Sequence, residues 1–170
     1  ETIGIDSLSN IPVIHCRQSY GLILTARTER KIINQQTKTL KLVYSGDTRP
    51  CDQLVLFGKD ADILIHEATF EDDKYIEAVN KKHSTISEAM EVGRLMNCSS
   101  IILTHFSQRY HGVPLQFHPK GADPIELIQQ KMKEQETQSH RILLPIIAFD
   151  FMMISNLDLS WLPYLTHPIA

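Results

Sequence analysis

Four stretches of this 170-residue chain place a histidine or a carboxylate directly after an apolar run: Ile11–Cys16 (IPVIHC), Val43–Pro50 (VYSGDTRP), Ile63–Thr69 (ILIHEAT) and Ile101–Tyr110 (IILTHFSQRY). In α/β folds the sheet fixes a strand end while the following loop presents side chains, so ligands and metals gather there. His15, Asp47, His66, His83 and His105 are therefore candidates to converge. Imidazole and carboxylate suit zinc, manganese or iron, and such a site needs no thiolate. None of these residues shares a helix face or a turn with another, so any convergence depends on the fold.

Each residue also has a structural reading. A histidine after a strand can be a hydrogen-bonded core residue. Asp47, between Gly46 and Thr48, can be a turn residue making an Asx-type bond. His83-Ser84-Thr85 can be a helix cap, Glu67 a solvated loop acid and Arg109 a surface charge. Cys51, beside Pro50, reads as a small hydrophobe. His111, His118, His140 and His167 read as incidental.

The composition is that of an ordinary soluble globular protein of about one domain: 42% hydrophobic, 22% charged and 19.4 kDa. Cys16, Cys51 and Cys98 are odd in number and far apart, which excludes a disulfide scaffold and favours a reducing intracellular compartment. A net charge of −3 argues against nucleic-acid binding driven mainly by counterion release. No apolar run spans a bilayer, since Ile142 to Ile154 contains Pro145 and Asp150, and no partner membrane is expected. The chain opens on Glu1 without a methionine, a hint that something upstream has been left out.

Strands that could carry these residues are Leu22–Thr25, Leu40–Tyr44, Asp62–Ile65 and Ile101–Thr104, the last two being continuous apolar runs typical of burial on both faces. Between them, Glu71 to Lys81 reads as one helix. Thr85-Ile86-Ser87-Glu88 reads as the capping box of a second, with Ile86, Ala89, Met90, Gly93 and Met96 on its inner face and Asn97 closing it. Strand, helices, strand predicts an α/β layered domain. His111 to Asp123 reads as loop, and Asp123-Pro124 starts a helix with Ile125, Ile128 and Met132 inward. Ile142 to Ile154 reads as a strand pair or one strand broken at Pro145, and Ser155 to Ala170 as an irregular tail.

Five segments in order, PVIHC-x-x-SYG (Pro12 to Gly21), YSGDTRPC (Tyr44 to Cys51), LIHEATF (Leu64 to Phe70), KHSTISEA (Lys82 to Ala89) and LTHFSQRY (Leu103 to Tyr110), resemble the C-terminal half of a ribonuclease Z. That family comprises tRNA 3′-processing endonucleases of the metallo-β-lactamase superfamily, and the SGDTRP and HFSQRY pieces resemble its long eukaryotic form. The resemblance covers residues 10–117 closely and 146–168 loosely. It implies the C-terminal half of a metallo-β-lactamase αββα sandwich over residues 1–170, motif-bearing over 1–117 and divergent over 118–170. It further implies two zinc ions per complete site, with His15 on one, His105 on the other and Asp47 bridging both. An activated water would attack the phosphorus after the discriminator nucleotide of a precursor tRNA. His83 would donate the proton to the departing 3′-oxygen, a task suited to imidazole near neutral pH, with Glu67 as its supporting acid. His66 would stand behind the site. Arg109 would contact backbone phosphate, with Arg49 a second candidate for that contact, and Lys81 and Lys82 would add positive charge for the acceptor stem. Nuclear and mitochondrial pools are the implied compartments.

The superfamily's HxHxDH motif is absent: no two histidines here lie one residue apart. Only two protein ligands per metal remain, against the usual three plus water. The chain is therefore expected to be a fragment that binds zinc poorly alone, cleaves nothing alone, and needs the missing N-terminal half of the same protein. A homodimer is a further possible partner. The alternatives are another metallo-β-lactamase phosphodiesterase, or a non-catalytic RNA-binding or interaction fragment.

Overall fold

A computed structural model of the chain describes residues 4–31, 37–107, 143 and 145–148. Along the chain run β1 (Gly4–Pro12), β2 (Tyr20–Lys31), β3 (Thr37–Tyr44), α1 (Asp52–Gly58), β4 (Ile63–Glu67), a 3-10 turn (Asp72–Lys74), α2 (Tyr75–Lys81), α3 (Ile86–Met96), β5 (Ser100–Thr104) and β6 (Pro145–Ile147). Arg109, the loop from His111, the helix expected after Asp123 and the 155–170 tail lie outside the described residues.

The strands form one six-stranded sheet in sequence order. β1, β2 and β3 pair antiparallel, and β3 to β6 pair parallel. Parallel neighbours require crossovers, and right-handed crossovers that step the same way across a sheet leave their helices on one face. The packing follows that rule. On one face, Leu54 of α1 and Ile86, Ala89, Val92 and Met96 of α3 bury against Val43, Leu64, Ile101, Leu103 and Ile147. On the other, Ile63, Ile102 and Ile146 cluster with Leu40, Leu42 and Ile65. Successive residues of β4 and β5 thus serve opposite apolar layers, which is why their sequences run apolar without alternation. Leu22 and Tyr44 face each other across β2 and β3 on the second layer's side and are exposed.

The capping box at Thr85 forms as read: Glu88 N–H donates to Thr85 Oγ1 at 3.3 Å and Thr85 N–H to Glu88 Oε2 at 2.9 Å. Asn97 closes α3 in the left-handed conformation, φ 58°. Two details differ from expectation. The helix expected over Glu71 to Lys81 is a 3-10 turn followed by α2. The inner face of α3 also includes Val92, and Met90, half-buried, packs against the same apolar cluster. Pro145 starts β6, a position where its missing N–H costs no ladder bond, and most of the strand pair or broken strand expected over 142–154 lies outside the described residues. No helix among the described residues is long and apolar enough to cross a membrane.

Candidate active site

β1, β3, β4 and β5 all run in one direction, because β2 is antiparallel to both β1 and β3. Their C-terminal ends therefore share one edge of the sheet. Backbone hydrogen bonds stitch the loops there: Arg49 N–H to the Ile14 carbonyl at 2.9 Å, Ala68 N–H to Thr104 at 2.9 Å, and Ile86 N–H to Phe70 at 3.1 Å. Gly46 turns the chain toward Asp47 with φ +60°, and a Cβ there would stand 2.8 Å from the Tyr20 carbonyl oxygen, so only glycine fits.

Glu67, at the end of β4, is 1% exposed. Its Oε1 accepts from Thr48 N–H at 2.8 Å and from His83 Nδ1 at 2.8 Å. Its Oε2 accepts from Thr69 N–H at 3.1 Å, the Thr69 hydroxyl at 2.7 Å and Ser84 N–H at 3.2 Å. A carboxylate satisfied by that many donors is a structural hub as well as a chemical group, and the solvated-loop-acid reading of Glu67 is corrected.

Around it the histidines converge. The His83 ring lies 4.7 Å from that of His15 and 5.4 Å from that of His105, centroid to centroid. His15 Nδ1 lies 2.9 Å from the Lys82 carbonyl oxygen, which can only accept, so His15 donates through Nδ1 and presents Nε2. His105 adopts φ 62° and lies with Nδ1 2.7 Å from Thr69 Oγ1 and 3.7 Å from Asp47 Oδ1. One ligand atom each from His15, Asp47 and His83 falls within 4.8 Å of the others, and the same holds for Glu67, His83 and His105. His66 points to the helix-bearing face, fully buried. Its Nδ1 donates to the Glu67 carbonyl at 2.6 Å, and its Nε2 finds no partner among the described residues. Burial holds its imidazole below the ordinary histidine range, against the opposing pull of Glu67 and Glu88.

The guanidinium of Arg49 lies beneath His83. Nη1 donates to the His83 carbonyl at 2.7 Å and to Glu88 Oε2 at 2.6 Å, Nη2 pairs with Glu88 Oε1, and the group stands 5.5 Å over the Tyr75 ring. Its fork is thereby committed to the protein. The sequence-predicted set His15, Asp47, Glu67, His83 and His105 lies in one cluster, with Arg49 under it and Arg109 outside the described residues.

No family model matches the chain. It is 42% identical over 161 residues to mitochondrial tRNase Z TRZ3 of Arabidopsis thaliana, covering 95% of this chain and 16% of that protein. Against zinc phosphodiesterase ELAC protein 2 of Homo sapiens it is 44% identical over 132 residues, 78% of this chain and 15% of the relative. A long-form RNase Z from yeast superposes with a TM-score of 0.60 at 43% identity, covering 65% of this chain and 15% of that one.

The chain belongs to the ribonuclease Z family.

A metallo-β-lactamase-fold protein, YhfI from Bacillus subtilis, aligns over 83% of this chain and 46% of its own with a TM-score of 0.52 and 19% identity, which extends the likeness to the fold alone. Within this ribonuclease Z chain the residues that sequence reasoning passed over are the hydrogen-bonding partners. Thr69 touches Glu67, His83 and His105 through one hydroxyl. Thr48 supplies its N–H to Glu67 and takes the Ile14 N–H on its Oγ1 at 3.0 Å. The Lys82 carbonyl is aimed by a left-handed backbone at φ 58° that closes α2. The threonine of HEAT was a visible signal, since a hydroxyl two residues after a carboxylate can fold back onto it. The Lys82 carbonyl had none.

Proposed function

We propose that this chain carries one side of the site of a zinc-dependent endoribonuclease that removes 3′ trailers from precursor tRNA. The contact that carries the reading is His83 Nδ1 to Glu67 Oε1 at 2.8 Å, set between His15 and His105. A buried carboxylate holding one imidazole nitrogen leaves Nε2 as the atom able to give a proton to a leaving 3′-oxygen. Glu67 thus orients His83, and the buried network around Glu67 keeps both from swinging.

The donor types fit zinc, with no thiolate required. A His15 imidazole nitrogen lies within 4.8 Å of an Asp47 carboxylate oxygen, and His105 stands 3.7 Å from Asp47 through Nδ1, which leaves its Nε2 to ligate. In this reading His15 and His105 each hold one zinc and Asp47 joins them. Bound zinc supplies an activated water and offsets phosphate charge, which answers the chain's net charge of −3. The further ligands of a two-zinc centre come from a segment bearing paired histidines, which these residues do not contain. Support for tRNA as substrate and zinc as metal comes from the names of the Arabidopsis and human relatives. The Arabidopsis name also supports a mitochondrial pool, and a nuclear pool belongs to the same proposal. Arg109 is proposed to contact backbone phosphate. Arg49 is proposed to act mainly by holding His83 in place.

The test is cleavage of a precursor tRNA with a 3′ trailer by the whole protein that contains this chain, wild type against His83→Ala. Loss of about 100-fold or more in rate with zinc retained supports the assignment, since a positioned acid contributes about that much. An unchanged rate overturns it.

A further inference from the structure

The Thr69 hydroxyl has one proton and three neighbours. It lies 2.7 Å from Glu67 Oε2, 2.7 Å from His105 Nδ1 and 3.2 Å from His83 Nδ1, and Thr69 is buried. An ionised carboxylate can only accept, so the hydroxyl proton goes to Glu67. The lone pairs of Oγ1 are then left to accept, and the short contact to His105 must run from Nδ1–H to Oγ1. Asp47 Oδ1, at 3.7 Å from the same nitrogen, is too far to compete for that proton. His105 is thereby fixed with its proton on Nδ1 and a lone pair on Nε2. His15 is fixed in the same form by the Lys82 carbonyl.

We infer that Thr69 is a positioning residue for His105, holding it in the tautomer that can ligate a metal through Nε2. Through the same hydroxyl, His105 is joined to the carboxylate that holds His83. One buried acid then orients both the candidate metal ligand and the candidate proton donor, by a hydroxyl link in one case and directly in the other. An imidazole whose second nitrogen donates to a fixed acceptor is a better and better-aimed ligand, and removing such an acceptor commonly costs about 10–100-fold in metal affinity. The inference rests on the reading of His105 as a zinc ligand.

The test uses the whole protein that contains this chain, labelled with 15N at histidine, as wild type, Thr69→Ser, Thr69→Val and His105→Ala. Imidazole 15N spectra without metal report the His105 tautomer, and a zinc titration followed on the same signals gives affinity. Wild type and Thr69→Ser are expected to carry the His105 proton on Nδ1. Thr69→Val, close in shape but without the hydroxyl, is expected to shift it toward Nε2 and to weaken zinc about tenfold or more. Recovery in Thr69→Ser separates the hydroxyl from mere packing. If Thr69→Val leaves the tautomer unchanged, the inference is overturned. If His105→Ala weakens zinc and Thr69→Val does not, the inference falls and the ligand reading stands. If His105→Ala leaves zinc affinity unchanged, the ligand reading itself fails and the inference with it.

Discussion

Arg49 and Glu88 form a two-pronged ion pair beneath the segment that presents His83, and Arg49 Nη1 also donates to the His83 carbonyl at 2.7 Å. Glu88 is the N3 residue of the α3 capping box, so one carboxylate joins the start of α3, the SGDTRP loop and the candidate proton donor. Removing Arg49 leaves a half-buried Glu88 and an unpaired carbonyl. Arg49→Ala is expected to destabilise the chain by about 1–3 kcal/mol, and Arg49→Lys, which keeps charge but loses the fork, by less. A double-mutant cycle with Glu88→Gln in chemical denaturation should give a clear coupling energy. Additive single effects, together with a loss of substrate affinity that depends on salt, would assign Arg49 to phosphate instead.

Glu67→Gln keeps the shape of the side chain while placing an NH2 group where an oxygen now accepts. Whichever way the amide turns, it faces a donor: Thr48 N–H and His83 on one side, Thr69 and Ser84 on the other. One buried donor loses its acceptor, at a cost of about 1–3 kcal/mol. Thermal or urea unfolding should show that loss, and cleavage by the whole protein should slow with zinc content unchanged. Full stability in Glu67→Gln would show that the donors relax away from the carboxylate.

The parts of this fold that were legible in the sequence are those whose signals are local. Ile63-Leu64-Ile65 and Ile101-Ile102-Leu103 feed two apolar layers and so announce themselves, and Thr85 with Glu88 closes its box within one turn. α1 gave no such signal: Leu54 and Gly58 are buried while Leu56 and Phe57 face solvent, so no stripe forms. β1 was hidden for the same reason, since among its residues only Ile11 is buried. In the site, strand ends pointed to His15, Asp47 and His105, whereas His83 follows α2 and was marked by its residue type and the KHSTISEA segment. The burial of Glu67 was not readable, because its donors arrive from Thr48 and Ser84, far away in the chain.

His66 makes stability depend on pH in a stated direction. Burial depresses its folded-state pKa below the ordinary 6.5, so the unfolded chain takes up a proton before the folded one does. The stability this confers is complete above about pH 6.5 and is lost as pH falls from there through the depressed folded value, at up to about 1.4 kcal/mol per pH unit. His66→Gln, which can still donate to the Glu67 carbonyl but does not titrate, should lack this component. Urea unfolding of both forms at pH 8 and pH 5.5 should therefore show wild type losing more stability on acidification. Parallel losses would mean that His66 is protonated within the fold.

Asp47 sits on a turn that only Gly46 permits and stands 3.7 Å from His105, with its side chain partly open to solvent. Little of the fold leans on it, so Asp47→Ala should change stability by no more than about 0.5 kcal/mol. If it joins two zinc ions, its removal takes a ligand from each. Zinc content of the whole protein, measured by elemental analysis after dialysis, should then fall and 3′ cleavage of precursor tRNA should be abolished. Asp47→Asn, which keeps the shape and one oxygen but drops the charge, should fall between the two. Unchanged zinc stoichiometry in Asp47→Ala would sink the bridging assignment, whatever happens to the rate. The unaltered stability is what makes the experiment decisive, because a metal loss in a folded chain cannot be blamed on unfolding.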